Sequence, residues 1–211
     1  MLKRIRWSFF AVLAVGIGLY PVVYFLTNQK MGLLTSKSDD LLSAPLWNLG
    51  FYTHILFGGL ALLVGWTQFS TKLRTRYLSV HRRIGKIYVI AVLLSALAAV
   101  YIGFFATGGF IPASGFICLG CIWFYTTLQA YRYIRQKDQR RHQIMMIYSY
   151  AACFGAVTLR LWLPVLTIVF NDFITGYRIV AWLCWVPNLA VAHFVWAKPL
   201  LRKTGNLLTT H

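Results

Sequence analysis

The stretch HQIMMIYSYAACFGAVTLR, residues 142–160, lies in an apolar segment that continues to Phe170. It begins with a histidine and ends with an arginine, inside a run that is too apolar for a helix in water. On an α-helix, a separation of about 18 residues returns the chain to the same angle after a rise of about 27 Å. His142 and Arg160 are therefore predicted to share one helix face, separated by nearly the thickness of a bilayer core.

The face between these two residues carries small or weakly polar side chains: Met146, Ser149, Cys153 and Ala156. Such a stripe suits close packing against another helix or space for a cofactor, and the sequence leaves both open. An ionisable side chain inside a bilayer is costly, so it is a functional-site hypothesis by default. The stretch thus predicts a membrane span with a basic group at each end.

The composition predicts a polytopic helical membrane protein. Of the 211 residues, 59% are hydrophobic and 12% are charged, whereas soluble domains have about 25% charged residues. The net charge of +17 could suit nucleic acid, but the basic residues lie in short clusters between apolar runs, as positive-inside topology requires. We therefore expect a lipid bilayer and no nucleic acid as partner. With four acidic residues in the chain, paired-carboxylate chemistry is excluded.

The predicted fold class is all-α: one integral membrane domain over residues 1–211, formed by a bundle of six transmembrane helices. The basic N-terminus and the long apolar run after it resemble a signal peptide, but no small-residue cleavage site follows, which favours a retained first span. Tyr20-Pro21 is expected to kink it. The predicted spans cover residues 7–27, 51–69, 84–107, 113–133, 143–170 and 176–197.

The orientation follows from the positive-inside rule. The N-terminus, residues 71–86, residues 132–141 and the tail together carry 17 of the 21 lysines and arginines. This asymmetry predicts that both termini are cytoplasmic. Cys118 and Cys121 form a C-x-x-C pair within the fourth predicted span. A thiol–disulfide site there stays open beside the simpler interpretation as small apolar residues.

The topology predicts a basic-end site. His81 and His142 open spans three and five at the predicted cytoplasmic side, and His193 closes span six there. Two imidazoles from different helices are a common way to bind haem iron, and arginines at the rim suit its propionates. The site therefore predicts b-type haem, with electron transfer to or from a membrane quinone. Its predicted residues are His81 and His142 as iron ligands, with Arg82, Arg83 and Arg141 around them.

Two alternatives stand beside haem at this end. Zinc or copper could bind three histidines if His193 joins His81 and His142. The histidines could also be interfacial residues that face lipid headgroups.

The second predicted site is a distal site near the opposite membrane face, where His54 and Arg160 lie at similar depth. They could bind an anion, a quinone head group or the acidic edge of a second cofactor. The protein would then be a non-redox transporter or binding protein for an anionic solute; a scaffold without catalysis is the third alternative. Arg160 could also be a structural clasp to Asn188 or to carbonyls freed by Pro164. The distal group comprises His54, Arg160, Asn188 and Gln68.

Several strings together resemble a known family. They are HILFGGLALLVGWTQF (54–69), HRRIGKIY (81–88), WFYTTLQAY (123–131), RHQIMMIYSYAACFGAVTLRLWLP (141–164) and AWLCWVPNLAVA (181–192). The resemblance is to an uncharacterised bacterial family of multi-pass membrane proteins, the domain of unknown function DUF2306. It implies a bacterial inner-membrane protein and supplies no activity. The chain departs from the family pattern at Gln143, where a second basic residue is usual, and at His193, where an acid is expected.

Overall fold

The computed structural model of the protein describes residues 2–27 and 32–202. Within this part of the chain the secondary structure is helical throughout, without a strand, which confirms the all-α prediction. Six segments are long and apolar enough to cross a membrane. We number them spans 1 to 6: Trp7–Leu26, Pro45–Phe69, Leu78–Gly103, Phe110–Arg135, Gln139–Phe170 and Phe173–Arg202.

Spans 1, 2, 5 and 6 are interrupted, so each contains more than one helical segment. The α-helices are Leu2–Leu19, Pro21–Leu26, Asp39–Ser43, Pro45–Gly65, Thr71–Arg76, Leu78–Gly103, Phe110–Arg135, Gln139–Cys153, Gly155–Phe170, Phe173–Leu183 and Val186–Val191. Two 3₁₀ helices, Gly32–Ser36 and Trp66–Phe69, and a π-helix, Ala192–Ala197, complete the described elements. The expected break in span 1 lies at Tyr20, directly before Pro21.

Spans 2 and 3 begin six residues earlier than the hydropathy pattern predicts. Pro45 occupies the first turn of span 2, where its missing N–H costs nothing. Trp47 and Phe51 in its first turns are buried, so this polar-looking segment is part of the bundle. Span 3 begins at Leu78 and already includes the basic residues around His81.

Span 5 is the central element of the bundle. Spans 1 to 4 pack in chain order, and span 5 contacts spans 1, 2, 4 and 6. Span 3 reaches it through the side chain of Tyr88, whose hydroxyl group lies 2.8 Å from Ser149 Oγ. The stretch from His142 to Arg160 therefore touches every other span.

Spans 5 and 6 are each broken at mid-length, and the two breaks face each other. Span 5 is interrupted at Phe154 and span 6 at Cys184 and Trp185. Thr158 Oγ1 donates to the Cys184 carbonyl and, at 3.3 Å, to the Phe154 carbonyl. Asn188 Nδ2 donates to the same Cys184 carbonyl at 2.9 Å and to Thr158 Oγ1 at 3.1 Å. The Thr158–Asn188 pair thus supplies side-chain donors to the Cys184 carbonyl at the break of span 6.

Glycines in span 2 allow the neighbouring spans to approach closely. A β-carbon at Gly59 would lie 2.6 Å from the carbonyl oxygen of Gly18 and 2.9 Å from Pro21 Cγ. At Gly65, the space of a β-carbon is occupied by the rings of Tyr88 and Tyr150. Gly59 thus forms the contact between spans 1 and 2, whereas Gly58 faces span 3, where its β-carbon would lie 3.0 Å from Ser95 Oγ.

We expect Gly59→Ala to destabilise the protein, because the added methyl group meets the backbone of span 1, which cannot rotate away. Overpacking of this kind costs about 1–3 kcal/mol. Thermal unfolding of the purified protein in detergent, followed by circular dichroism, measures the loss. Gly16→Ala is the matched control: no atom lies within 4 Å of its β-carbon position, so alanine should be neutral or stabilise span 1 by up to about 1 kcal/mol. Equal shifts in Tm for the two variants would contradict this account.

Candidate functional site

The basic end of the bundle brings His81 and His142 together. We define this end by the loops between spans 2 and 3 and between spans 4 and 5, which carry Arg74, Arg76 and Lys137. His81 lies one turn into span 3 and His142 one turn into span 5. The two imidazoles lie close enough to interact electrostatically, and Arg74 and Arg82 act on His81 as well. The two histidines thus lie on different spans at the same end of the bundle.

The ring of His142 is fixed by the backbone of span 4. Its Nδ1 atom lies 2.8 Å from the carbonyl oxygen of Ala130. A carbonyl oxygen only accepts, so Nδ1 carries the proton and donates it. The Nε2 atom is then unprotonated in the neutral ring, which is the form that binds a metal, and the bond to the carbonyl orients the ring as in most metal-ligating histidines.

His81 is incompletely satisfied. Its Nδ1 atom is buried and has no hydrogen-bond partner among the described residues. A buried polar atom without a partner is uncommon in a native protein and requires an explanation such as a water, an ion or a ligand. One turn further along span 3, Gly85 allows Gln68 to approach closely, because a β-carbon there would lie only 3.3 Å from Gln68 Oε1.

The arginines expected at the rim are present and exposed. Arg82 and Arg83 have exposed side chains on the first turns of span 3. Arg141 is partly engaged, because its Nε lies 3.4 Å from an Asp138 carboxylate oxygen and its guanidinium group lies over the ring of Tyr133. Asp138 also caps span 5 by accepting from the Arg141 backbone N–H at 2.9 Å.

Gln68 belongs to this end and not to the distal site, which corrects the sequence-based grouping. It lies about 21 Å of helical rise from His54 on the same span. Its side chain is buried beside Gly85, and Nε2 lies 3.3 Å from Thr67 Oγ1.

His193 does not complete a metal site with the other two histidines. Its Nδ1 lies 2.7 Å from the hydroxyl oxygen of Tyr148, and the two rings stack. Over residues 2–27 and 32–202, no three His, Cys, Asp or Glu side chains lie close enough to bind one metal ion. The alternative of a three-histidine zinc or copper site is therefore wrong for the part of the chain that the structure describes.

The distal site is formed at the contact of spans 1, 2 and 5. The guanidinium carbon of Arg160 lies 4.7 Å from the centre of the Tyr20 ring, and Nη1 donates to the Ala156 carbonyl at 2.9 Å. Arg160 also interacts electrostatically with Tyr24 and His54. His54 Nδ1 lies 3.0 Å from Ser95 Oγ and 3.2 Å from the Ser95 carbonyl, so span 3 orients this ring.

Asn188 lies apart from Arg160. Its Nδ2 atom donates to Thr158 Oγ1 and to the carbonyl oxygens of Cys184 and Ala151. These bonds join spans 5 and 6, so Asn188 acts as an interhelical hydrogen-bond partner in the structure.

The stripe on span 5 packs against helices. Ser149 is fully buried, and its hydroxyl group lies 2.8 Å from Tyr88 Oη and 2.6 Å from Thr127 Oγ1. Thr127 Oγ1 in turn lies 2.7 Å from the Trp123 carbonyl. Spans 3, 4 and 5 are thereby joined by one hydrogen-bonded chain, and the rings of Tyr88 and Tyr150 occupy the space beside it.

Sequence reasoning missed several partners of the site residues. Tyr20 and Tyr24 lie against Arg160, Tyr148 engages His193, and Ala130 fixes His142. For the contact between Tyr20 and Arg160, the available signal in the sequence was the position of Tyr20 at the proline break of span 1. The C-x-x-C cysteines are free and exposed on span 4.

We expect Ser149→Ala to leave the buried Tyr88 hydroxyl without its partner and to reduce stability by about 1–3 kcal/mol. Tyr88→Phe removes the other half of the pair. Because both changes break the same bond, the double variant Tyr88→Phe/Ser149→Ala should lose less stability than the sum of the single variants. Thermal or denaturant unfolding in detergent measures the three values, and strict additivity would show that the pair makes no net contribution.

The chain has been compared with protein families, curated proteins and solved structures. Neither a curated protein nor a solved structure matches it. One family matches residues 51–196, from the early part of span 2 to the π-helix of span 6, and its description is "Predicted membrane protein (DUF2306)". This match covers more than half of the chain and includes His54, His81, His142, Arg160 and Asn188. The chain therefore belongs to the DUF2306 family of predicted membrane proteins.

Proposed function

We propose that this protein is a redox protein that binds b-type haem through His81 and His142 at the basic end of the bundle. The observation that carries the proposal is the histidine pair itself: one ring is fixed with Nε2 free for a ligand, and the other has a buried nitrogen without a partner. Both features are expected of imidazoles that have evolved to bind a group that the chain does not contain.

The number of ligands favours haem over a bare metal ion. Zinc sites usually take three or four protein ligands, and the described residues contain no cluster of three. Haem needs only two axial ligands from the protein, because the porphyrin supplies the other four. A bound haem would supply one-electron transfer, and a membrane quinone is the proposed partner in that exchange.

The residues around the pair have supporting roles in this proposal. Ala130 orients His142 through its carbonyl oxygen. Arg82 and Arg83 would neutralise acidic groups at the rim, and Arg141 would add charge beside its own partner Asp138. Tyr88 and Tyr150 are buried deeper in the bundle than the two histidines.

The protein as purified from haem-sufficient cells should show a Soret band, which shifts and sharpens on reduction. His81→Ala and His142→Ala should each abolish it or reduce it strongly while the helix content stays unchanged. His193→Ala is the matched control, because His193 is also at this end but contacts Tyr148, and it should retain the spectrum. A folded, colourless protein would refute the proposal, as would a spectrum that survives loss of both His81 and His142. Bound zinc or copper without a Soret band would also refute it.

We also propose that the protein lies in the bacterial cytoplasmic membrane, with the basic end in the cytoplasm. The distribution of lysine and arginine supports this orientation. Green fluorescent protein joined after His211 should therefore fluoresce, and alkaline phosphatase joined there should be inactive, because the phosphatase needs the oxidising side of the membrane. The reverse pattern would overturn the orientation while leaving the fold intact.

A further inference from the structure

The distal site contains a positive charge without a counter-charge. Among residues 2–27 and 32–202, the ion pair recorded for an arginine is Arg141 with Asp138, at the other end of span 5. The groups that act electrostatically on Arg160 are Tyr20 and Tyr24, not a carboxylate. An arginine within a membrane span is costly unless something pairs with it, and no carboxylate among residues 2–27 and 32–202 is recorded as pairing with Arg160.

Arg160 also has unused hydrogen-bonding capacity. A guanidinium group has five N–H donors in a planar fork. In the described part of the chain, one bond is formed, from Nη1 to the Ala156 carbonyl on the same helix. The Tyr20 ring covers one face of the guanidinium group. The edge with Nε and Nη2 is left for another partner, and this edge matches the two oxygens of a carboxylate or phosphate.

The neighbours of Arg160 converge from two other spans. Tyr20 and Tyr24 lie about one turn apart on span 1, and their rings pack edge to face. Both hydroxyl groups lie beside Gly32, where a β-carbon would be 3.3 Å from each oxygen. His54 contributes from span 2: Ser95 engages its Nδ1, and its Nε2 has no bond to a described residue. Two phenols and an imidazole therefore lie near enough to one guanidinium group to interact with it electrostatically.

The surface next to this position is apolar. Phe25 and Leu26 at the end of span 1 are exposed, as are Leu161 and Trp162 beside Arg160 on span 5. In a bilayer such side chains face lipid, so a ligand with an acyl chain could place the chain along them and its head group at Arg160. A neutral head group would leave the buried charge uncompensated, whereas an oxyanion would neutralise it.

We propose that Arg160, with Tyr20, Tyr24 and His54, binds the oxyanion head group, carboxylate or phosphate, of an amphiphile that enters from the bilayer. The guanidinium fork binds the oxyanion, and the tyrosine hydroxyls and His54 Nε2 supply further contacts. This site is independent of the proposed haem: about 27 Å of helical rise separates Arg160 from His142. The same oxyanion chemistry could also come from a small anion in water, and the test separates the two sources.

The test is a binding titration of the full-length protein in dodecyl maltoside, a detergent without a charged group. Labelled oleate is the amphiphile, inorganic phosphate and acetate are the small anions, and oleyl alcohol is the neutral analogue of oleate. We expect saturable binding of oleate, a rise in Tm with oleate concentration, and no saturable binding of oleyl alcohol. Saturable binding of phosphate or acetate, but not of oleate, would support an oxyanion site at Arg160. It would refute the proposal that the ligand enters from the bilayer. No saturable binding of any anion would overturn the proposal.

Variants connect the binding to Arg160. Arg160→Gln should weaken oleate binding tenfold or more, about the effect of losing a charge-assisted bond. Arg160→Lys keeps the charge and loses the fork, so it should give an intermediate affinity. Arg178→Gln is the matched control, since Arg178 is an exposed arginine that donates to the Gly108 carbonyl at the same end, and its affinity should be unchanged.

Two further outcomes keep the test decisive. If Arg160→Gln does not fold, Tyr24→Phe tests the site from span 1 and should weaken binding; unchanged affinity in Arg160→Lys and in Tyr24→Phe would overturn the assignment. His81→Ala should bind oleate as well as the unaltered protein does, so failure of the haem proposal and failure of this one are distinguishable.

Discussion

The fold depends on satisfying backbone hydrogen bonds where the helices are broken. In the hydrocarbon core no water can pair with an exposed carbonyl, so a break must be repaired by protein groups. Spans 5 and 6 both break near their middle; Thr158 of span 5 donates to the Cys184 carbonyl of span 6, and Asn188 of span 6 donates to Thr158 and to the Ala151 carbonyl of span 5. Span 5 also contacts spans 1, 2 and 4, so this repaired break lies in the element on which most other spans pack. It also places Arg160 on the side of span 5 away from span 6.

The number of spans and the pairing of His81 with His142 could be predicted from the sequence. The hydropathy pattern and the basic loops indicate which helix ends lie on the same side of the membrane. His81 and His142 follow the two basic loops, so they are predicted to lie at the same end. The early starts of spans 2 and 3 could not be predicted in this way. Trp47 is buried by contacts with Phe51 and Leu34, and such tertiary burial is not visible in a local hydropathy average.

The partners within each site were harder to predict, because they depend on which face of one helix meets another. Arg160 meets Tyr20 and Tyr24 because span 1 packs beside span 5; the proline break beside Tyr20 marks an unusual position on span 1 but does not say which span it faces. Gln68 and His54 lie on the same span and are spaced so that an α-helix would place them on one face. A shared face does not place two residues at the same depth in the membrane, and these two lie about 21 Å of helical rise apart. His142 was placed correctly, but its bond to a carbonyl of span 4 required the coordinates.

The π-helix at Ala192–Ala197 changes the face that the end of span 6 presents. A π turn contains about one residue more than an α turn. It therefore acts as an angular offset: side chains beyond it are rotated by roughly the 100° step of one residue relative to a straight α-helix counted from Asn188. His193 lies at the start of this turn, before most of the offset, and contacts Tyr148 of span 5. The residues after Ala197, which include the basic Lys198 and Arg202, therefore lie on a different face from the one that an uninterrupted α-helix would give them.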